Sequence, residues 1–505
     1  IIFLLFEGIN GFLNGSLSLN ADSYKQIKGT LVLLLGTSIF GGILGTVNGW
    51  ILANCRFPAR RRLKVAQLLP LATPSYLLSA TLIDLGSIYS IRIHGMIWAI
   101  IVMSLTTYPY VFLLSTESFS ISGQRQLEAC RSLGVGPWNS FRRIALPIAL
   151  PAIGAGIALM GMEVINELGA VQLLNIPSIS GGIDENWNEI GNPSGAIALS
   201  MIALAIVMIL VAYEKKLRSR SRRWTEGLAG GEAPEWELKG IRAVLAQTLG
   251  FLPPALTLGV PLLWTFQNLD QLSKFKEHNP DIIDLTLRSL GLGIAAAIFT
   301  VLFSLILALA KRWNQGKFIK GLAFLSGLGY AIPGTVLAIG LFSFATSPLK
   351  LSPLWILAWG YSVRFLAVSK GGLDAAFERI SPNLDEAATG LGSRWPNVVS
   401  RIHLPLLKGP LAVGALLVFV DTIKELPLTF SLRSYDFDTL SVRIYQYAGD
   451  GRIGLAILPA LIILTLGLIA SATLIPSLEQ DFNLNPLFKC LYCQIKKLNK
   501  LLFSN

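Results

Sequence analysis

Long apolar segments alternate with short polar segments along almost the whole chain. A helix that crosses a lipid bilayer needs about 20 mostly apolar residues. Eleven such segments cover residues 29–52, 65–85, 95–114, 145–164, 195–212, 244–264, 285–310, 322–344, 354–369, 404–420 and 453–475. A further apolar segment, residues 1–12, starts without a Met, and we expect it to be the remainder of a truncated first span. The pattern predicts an all-α polytopic membrane protein with about twelve transmembrane helices.

The composition excludes most other classes of protein. Of the 505 residues, 52% are hydrophobic and only 14% are charged, whereas soluble domains carry about 25% charged residues. A soluble chain of this length would need several domains, each with a polar surface that the sequence does not supply. Four cysteines exclude a disulfide scaffold, and the apolar content excludes a disordered chain.

The formal net charge of +12 is explained by the distribution of Lys and Arg between the loops. One alternating set of connections holds 29 of these residues and the other set holds 10. Cytoplasmic loops carry the excess of positive charge, so we expect the first set and both termini in the cytoplasm. The basic residues then face membrane lipid and the cytoplasm, and we expect no nucleic-acid partner. The Lys- and Arg-rich set comprises residues 53–64, 116–144, 213–242, 311–320, 370–403 and the tail from 477.

One motif occurs twice at an offset of 258 residues. Glu128-Ala-Cys-Arg-Ser-Leu-Gly134 corresponds to Glu386-Ala-Ala-Thr-Gly-Leu-Gly392, and both copies are followed by Ile-x-Leu-Pro. Six predicted spans separate equivalent points, so the two halves have the same orientation, which argues against an inverted-repeat transporter. The predicted domains are a first half at 1–214, a cytoplasmic linker at 215–242, a second half at 243–476 and a cytoplasmic tail at 477–505.

Each copy of the motif lies in a long cytoplasmic loop, residues 116–147 and 370–405. The motif begins with strong helix formers, and a glycine six residues after the Glu is suited to the left-handed turn that ends a helix. We therefore predict a short helix, a turn at Gly134 or Gly392, and a second helix. Two copies at identical spacing favour a surface for a partner protein over a simple connector.

This motif resembles the signature loop of the permease subunits of bacterial ABC importers. The matching stretches are EACRSLGVGPWNSFRRIALP and EAATGLGSRWPNVVSRIHLP. The resemblance implies a type I importer fold of two fused six-helix halves, in which each loop forms a coupling helix that contacts an ATPase subunit. Cys130 replaces the second Ala of the family motif and leaves this assignment in place. The coupling residues implied are Glu128, Ala129 and Gly134, and Glu386, Ala387 and Gly392.

The chain contains no G-x-x-x-x-G-K-[ST] sequence, so it has no P-loop to hold ATP. We expect ATP and Mg to bind to two copies of a separate ATPase subunit, and we expect no cofactor in this chain. No nucleophile, base and orienting carboxylate can be assembled around the three histidines, so the sequence does not predict an enzyme.

Several segments are most similar to ferric-iron permeases of bacteria, including cyanobacteria. They include TTYPYVFLL and FVDTIKELPLTFSLRSYDFDTLSVRIYQY. The resemblance implies a multi-pass protein of the inner membrane that receives ferric iron from a periplasmic iron-binding protein and imports it by alternating access. The alternatives are the same machinery with thiamine, sulfate or another small solute, and a proton-coupled carrier with parallel halves.

Four carboxylates near the ends of predicted spans also suggest a cation. Glu163 and Glu167 lie one helical turn apart, and Asp421 and Glu425 repeat them at the offset of 258. A carboxylate at membrane depth is costly, so these residues are candidates for a water-filled substrate path. Oxygen ligands suit a hard cation such as Fe3+, bound in transit rather than tightly. The alternative for Glu167 and Glu425 is that they are solvated residues at the outer ends of helices.

Two further features have simple interpretations. Arg364 lies in a span six residues before Lys370, and we expect it to extend its side chain to the cytoplasmic interface; pairing with a carboxylate is the alternative. The outer loop at residues 166–193 contains four acidic residues and no Lys or Arg. We expect a solvated face there, with docking of the substrate-binding protein as the alternative.

Overall fold

The computed structural model describes residues 19–121, 124–225, 235–271, 282–313, 316–344, 352–378, 380–434 and 436–478, with isolated positions between 6 and 14. In this part of the chain almost all regular structure is helical. The two strands that it contains are two residues long each, β1 at Cys55–Arg56 and β2 at Trp236–Glu237. The predicted all-α class is confirmed.

The helices of the first half follow one another from residue 21 to residue 225. Short 3-10 and π turns at Leu69–Ala72, Phe141–Ala145 and Glu185–Glu189 connect some of them. The helices are α1 Ala21–Asn54, α2 Arg60–Ala66, α3 Ser75–Ile88, α4 Met96–Ile121, α5 Gln124–Ser132, α6 Pro137–Ser140, α7 Leu146–Asn166, α8 Gly169–Leu173, α9 Ile179–Asp184 and α10 Pro193–Thr225.

The second half repeats this order of elements. A π turn at Val399–His403 and a 3-10 turn at Ile453–Ala456 connect some of its helices. The helices are α11 Ile241–Gln267, α12 Ile282–Trp313, α13 Lys317–Ser326, α14 Gly334–Phe344, α15 Pro353–Glu378, α16 Pro382–Gly390, α17 Trp395–Val398, α18 Leu404–Lys424, α19 Pro427–Leu432, α20 Leu440–Gly449 and α21 Ile457–Leu478. Helices α5 and α16, and also α7 and α18, begin 258 residues apart.

Seven helices within the described residues are long and apolar enough to cross a membrane, or eight if a bent pair counts as one span. The predicted span at 65–85 is bent, because the helices on either side of Thr73 and Pro74 form an angle of 88°. The predicted span at 322–344 is likewise interrupted between Ser326 and Gly334. A proline at each break, Pro74 and Pro333, removes a backbone donor and disfavours a helical residue before it. The apolar segment at 1–12 lies almost entirely outside the described residues.

Glycines allow helix α4 to pack closely between α1 and α7. A Cβ atom on Gly45 of α1 would lie 2.8 Å from Val111 Cβ, and one on Gly156 of α7 would lie 2.7 Å from Val111 Cα. Small residues at such contacts let helix backbones approach one another in membranes. This contact fixes the position of Tyr110, the neighbour of Val111, which is important for the site described below.

The predicted linker at 215–242 is attached to the first half at its described ends. Residues up to Thr225 continue helix α10, and β2 pairs in parallel with β1. Trp236 packs against Trp50 with ring centroids 5.6 Å apart, and its indole Nε1 donates to the carbonyl of Val135 at 3.4 Å. Of the predicted tail at 477–505, all but the first two residues lie outside the described part of the chain.

Candidate functional site

A cavity with an empty volume of about 790 Å³, which includes open solvent, lies between the two halves. Its walls are supplied by the helix break at Pro74, helices α4, α7 and α15, the turn before α14 and the C-terminal end of α18. All four carboxylates singled out in the sequence line it. The other lining residues are Leu71, Thr73, Pro74, Ser75, Tyr76, Met103, Thr106, Thr107, Tyr110, Asn166, Tyr330, Arg364, Phe365, Lys424, Leu426 and Pro427.

Two tyrosines, one from each half, bind the carboxylate of Glu163. Tyr110 of α4 donates its hydroxyl to Glu163 Oε1 at 3.2 Å, and Tyr330 donates to the same oxygen. The two hydroxyl oxygens lie 3.1 Å apart. Tyr330 belongs to the turn before α14, so this contact joins the halves. Neither tyrosine has a local signal in the sequence, because the two lie 220 residues apart.

Glu167 and Glu425 end helices α7 and α18 and bind the first turns of the short helices that follow. Glu167 accepts a hydrogen bond from the amide of Ala170 at 2.8 Å. Glu425 accepts from the amides of Leu428 at 3.0 Å and Thr429 at 3.1 Å. A carboxylate at this position satisfies amides that have no partner within the helix. The interpretation of Glu425 as a solvated helix end is wrong, because this residue is 6% exposed.

The carboxylates of the second half are paired with cations. Lys424 lies 2.8 Å from Asp421 and donates to the carbonyl of Leu71 at 3.1 Å. Arg364 lies 3.7 Å from Glu425 and donates to the carbonyl of Ile332 at 3.1 Å. Both carbonyls belong to the helix breaks, where the ladder of helical hydrogen bonds is interrupted.

The expected extension of Arg364 to the membrane interface is therefore wrong. Arg364 is 6% exposed, and its side chain lines the cavity and pairs with Glu425. A buried guanidinium needs a countercharge and carbonyl acceptors, and both lie on elements that are distant in sequence.

The carboxylates of the first half have no such cations. Among the described residues, no Lys, Arg or His nitrogen lies within salt-bridge distance of Glu163 or Glu167. At the repeat offset, the first half has Asn166 in the position of Lys424 and Thr106 in the position of Arg364. The four carboxylates are therefore symmetric in sequence but not in electrostatic environment.

The cavity also contains buried polar atoms without a hydrogen-bond partner. Asn166 is 4% exposed, and neither its amide nitrogen nor its amide oxygen has a partner. The hydroxyls of Thr73 and Tyr76, each 3% exposed, are also without a partner. Buried polar groups are normally hydrogen-bonded, so these atoms indicate a site that holds water or a polar ligand.

The repeated motif has the predicted local structure in both halves. Helices α5 and α16 carry the motif, and Gly134 and Gly392 follow them with φ of +72° and +82°. The motif residues Glu128, Ala129, Glu386 and Ala387 are exposed. The predicted helix, left-handed turn and second helix are confirmed, and the proposed contact residues point away from the body of the protein.

The motif also exposes an apolar side chain just before each turn. Leu133 is 80% exposed and Leu391 is 88% exposed, at the offset of 258 residues. The surface that presents the motif glutamates therefore also carries an exposed apolar side chain in each copy.

Helix α16, which carries the second copy of the motif, is attached to the body of the protein by an ionic network between residues that are distant in sequence. Asp385 lies 2.8 Å from Arg312 Nε and 2.8 Å from His403 Nε2. Burial would raise the pKa of Asp385, but hydrogen bonds from Arg312 and His403 outweigh it and hold the pKa below its usual value. This network is absent from the first copy of the motif, where the residues at the repeat offset carry no charge: Leu127 corresponds to Asp385, Asn54 to Arg312 and Ala145 to His403. Leu127 instead belongs to an apolar cluster.

We expect Asp385→Ala to destabilise the protein by about 3 kcal/mol, because it leaves Arg312 beside His403 without a countercharge in a mostly buried site. The temperature of thermal unfolding in detergent measures the effect. Asn383→Ala, at an exposed position of the same helix, is the matched control. Equal unfolding temperatures for the two variants would show that the network does not attach the helix.

The acidic residues of the outer loop are partly structural. Asp184 is 5% exposed and accepts hydrogen bonds from Asn188 at 2.7 Å and Gln172 at 3.3 Å. Glu185 accepts from Gln26 at 3.0 Å. The expectation of a solvated face is wrong for Asp184, because the loop folds into α9 and a π turn that bury it. No three side chains among the described His, Cys, Asp and Glu residues form a metal site.

Comparison with known proteins places this arrangement among transport proteins. The model of one family, the binding-protein-dependent transport system inner membrane component, matches residues 45–219. This range contains the first copy of the motif and the two carboxylates of the first half.

Relatives of this chain are permeases with different substrates. An Fe(3+)-transport system permease protein of Haemophilus influenzae is 26% identical over 448 residues, which are 85% of this chain and 85% of the relative. A sulfate transport system permease protein of Escherichia coli is 29% identical over 227 residues, 41% of this chain and 81% of the relative. A provisionally assigned 2-aminoethylphosphonate transport system permease protein of Salmonella paratyphi A is 30% identical over 188 residues, 36% of this chain and 71% of the relative.

Proposed function

The chain belongs to the binding-protein-dependent transport system inner membrane components, as a permease subunit of an ABC transporter, and we propose that the substrate it carries into the cytoplasm is ferric iron. The family implies an ATPase and a substrate-binding protein as partners. We assign two copies of the ATPase, which bind ATP and Mg, and a periplasmic binding protein that delivers iron.

The charge of the cavity is the observation that supports a cationic substrate. Four carboxylates line it against two cations, Arg364 and Lys424. Both cations are paired with Glu425 and Asp421, so the four carboxylates outnumber the cations and neither carboxylate of the first half has an ion-pair partner among the described residues. An anion such as sulfate would meet this excess negative charge in a medium of low dielectric, whereas a cation would neutralise it. Carboxylate and hydroxyl oxygens are ligands for hard cations.

Alternating access would follow from movement of the two halves around this cavity. In the proposed cycle the ATPase pair closes on ATP and draws helices α5 and α16 together through Glu128, Ala129, Glu386 and Ala387, with Gly134 and Gly392 setting the turns. The cavity then changes the side to which it opens. This arrangement requires the Lys- and Arg-rich connections, which include both motif loops, to face the cytoplasm.

ATP hydrolysis by the reconstituted complex tests this function. The permease and its ATPase subunit are placed in liposomes and supplied with binding protein that is unloaded, iron-loaded or sulfate-loaded. We expect several-fold faster hydrolysis and ATP-dependent entry of radioactive iron with the iron-loaded protein alone. Stimulation by the sulfate-loaded protein instead would overturn ferric iron as substrate. Iron entry driven by a proton gradient without the ATPase would identify a proton-coupled carrier.

A further inference from the structure

We infer that the phenol oxygens of Tyr110 and Tyr330 and the carboxylate of Glu163 form a transient ferric-binding site in the cavity. This inference rests on the proposed function and names the atoms that hold the substrate. It adds two tyrosines to the carboxylates recognised in the sequence. The three groups converge on one point from helices α4 and α7 of the first half and from the turn before α14 of the second half.

The spacing of the three groups suits one metal ion. Tyr110 Oη lies 3.2 Å from Glu163 Oε1 and 3.1 Å from Tyr330 Oη, and Tyr330 is hydrogen-bonded to the same carboxylate oxygen. An octahedral ion with metal–oxygen distances of about 2.0–2.1 Å separates adjacent ligand oxygens by about 2.9 Å. The three oxygens can therefore occupy one face of an octahedron after shifts of a few tenths of an ångström.

The charge of this set matches a trivalent ion. Two phenolates and one carboxylate carry three negative charges, so the complex with Fe3+ is neutral. A neutral complex has the smallest desolvation cost inside a membrane protein. Coordination replaces the two phenol protons with bonds to the metal, and these protons leave to the solvent. A divalent ion would leave one negative charge uncompensated.

Unpartnered polar atoms beside these groups provide independent support for a ligand. Asn166 is 4% exposed and lines the cavity, one turn along α7 from Glu163, and neither of its side-chain amide atoms has a hydrogen-bond partner. Thr73 contributes another unpartnered buried hydroxyl. These groups can bind the water molecules that complete the coordination of the ion.

The site also accounts for release of the substrate. Tyr110 and Glu163 belong to the first half and Tyr330 to the second, so the three ligands meet only while the halves are close together at this level. Movement of the halves during the transport cycle removes Tyr330 from the other two ligands and weakens binding.

Titration of the purified permease with ferric nitrilotriacetate tests the site without ATP or partner proteins. Phenolate bound to Fe3+ gives a charge-transfer absorption in visible light. We expect this band in the wild type and its loss in Tyr110→Phe with Tyr330→Phe. Tyr108→Phe is the matched control, since Tyr108 lies on the same helix, outside the cavity lining, and its hydroxyl has no hydrogen-bond partner.

Iron uptake by the reconstituted complex separates this inference from the proposed function. We expect Tyr110→Phe with Tyr330→Phe to reduce uptake at least about tenfold, while Tyr108→Phe transports like the wild type. Normal iron uptake in the double variant, or an absorption band that it shares with the wild type, would overturn the tyrosine site and leave ferric import intact. A wild-type complex that imports no iron would overturn the proposed function. A wild-type permease without the band would overturn the site.

Discussion

Replacing Glu128 and Glu386 together with Ala is expected to abolish ATP-driven transport while the permease still folds. Both glutamates are exposed on helices α5 and α16, so their removal leaves no buried group unsatisfied. A hydrogen bond to a charged group contributes about 1.5–3 kcal/mol. Losing two such contacts with the ATPase would weaken the assembly by about two to four orders of magnitude.

The measurement is the stimulation of ATP hydrolysis by loaded binding protein in liposomes, together with uptake of the substrate. Glu237→Ala is the control, because its side chain is 65% exposed and it lies outside the motif. Gly134→Val with Gly392→Val tests the presentation of the motif rather than its contacts, since a β-branched residue is strained at a positive φ. Full stimulation in the double Glu variant would show that the motif does not transmit the ATPase cycle.

Replacing Arg364 with Met is expected to destabilise the permease by about 3–5 kcal/mol, the cost of leaving one member of a buried ion pair alone. The side chains of Arg364 and Glu425 are 8% and 4% exposed, so water compensates only part of the lost guanidinium charge. The carboxylate would remain beside the amides of α19 without a countercharge. Thermal unfolding in detergent, followed by tryptophan fluorescence, measures the loss.

A second variant distinguishes the charge from the packing. Arg364→Met with Glu425→Gln removes both charges and keeps an oxygen that can accept from the amides of Leu428 and Thr429. We expect this double variant to recover more than half of the lost stability. Lys25→Met removes an exposed ion pair and should change stability by at most about 1 kcal/mol. A single Arg364→Met variant as stable as Lys25→Met would show that the buried pair does not stabilise the protein.

Local patterns in the sequence were sufficient for several features of the structure. The repeated motif predicted a short helix and a left-handed turn at Gly134 and Gly392, because helix formers followed by glycine act over only a few residues. Apolar length predicted most of the helices. It did not predict the bend at Pro74, since an apolar segment of the same composition can form a straight span or a broken one.

By itself, the sequence determined that this chain is a helical membrane protein in which one motif occurs twice at an offset of 258 residues, and it identified the four carboxylates that line the cavity. Only the tertiary structure decided which of these carboxylates are neutralised. Tyr330 lies 167 residues from its acceptor Glu163, and Lys424 lies 353 residues from its acceptor Leu71. Arg364 turns toward Glu425 rather than the membrane surface. Such contacts arise from the packing of one half against the other, so the spacing of residues along the chain does not reveal them.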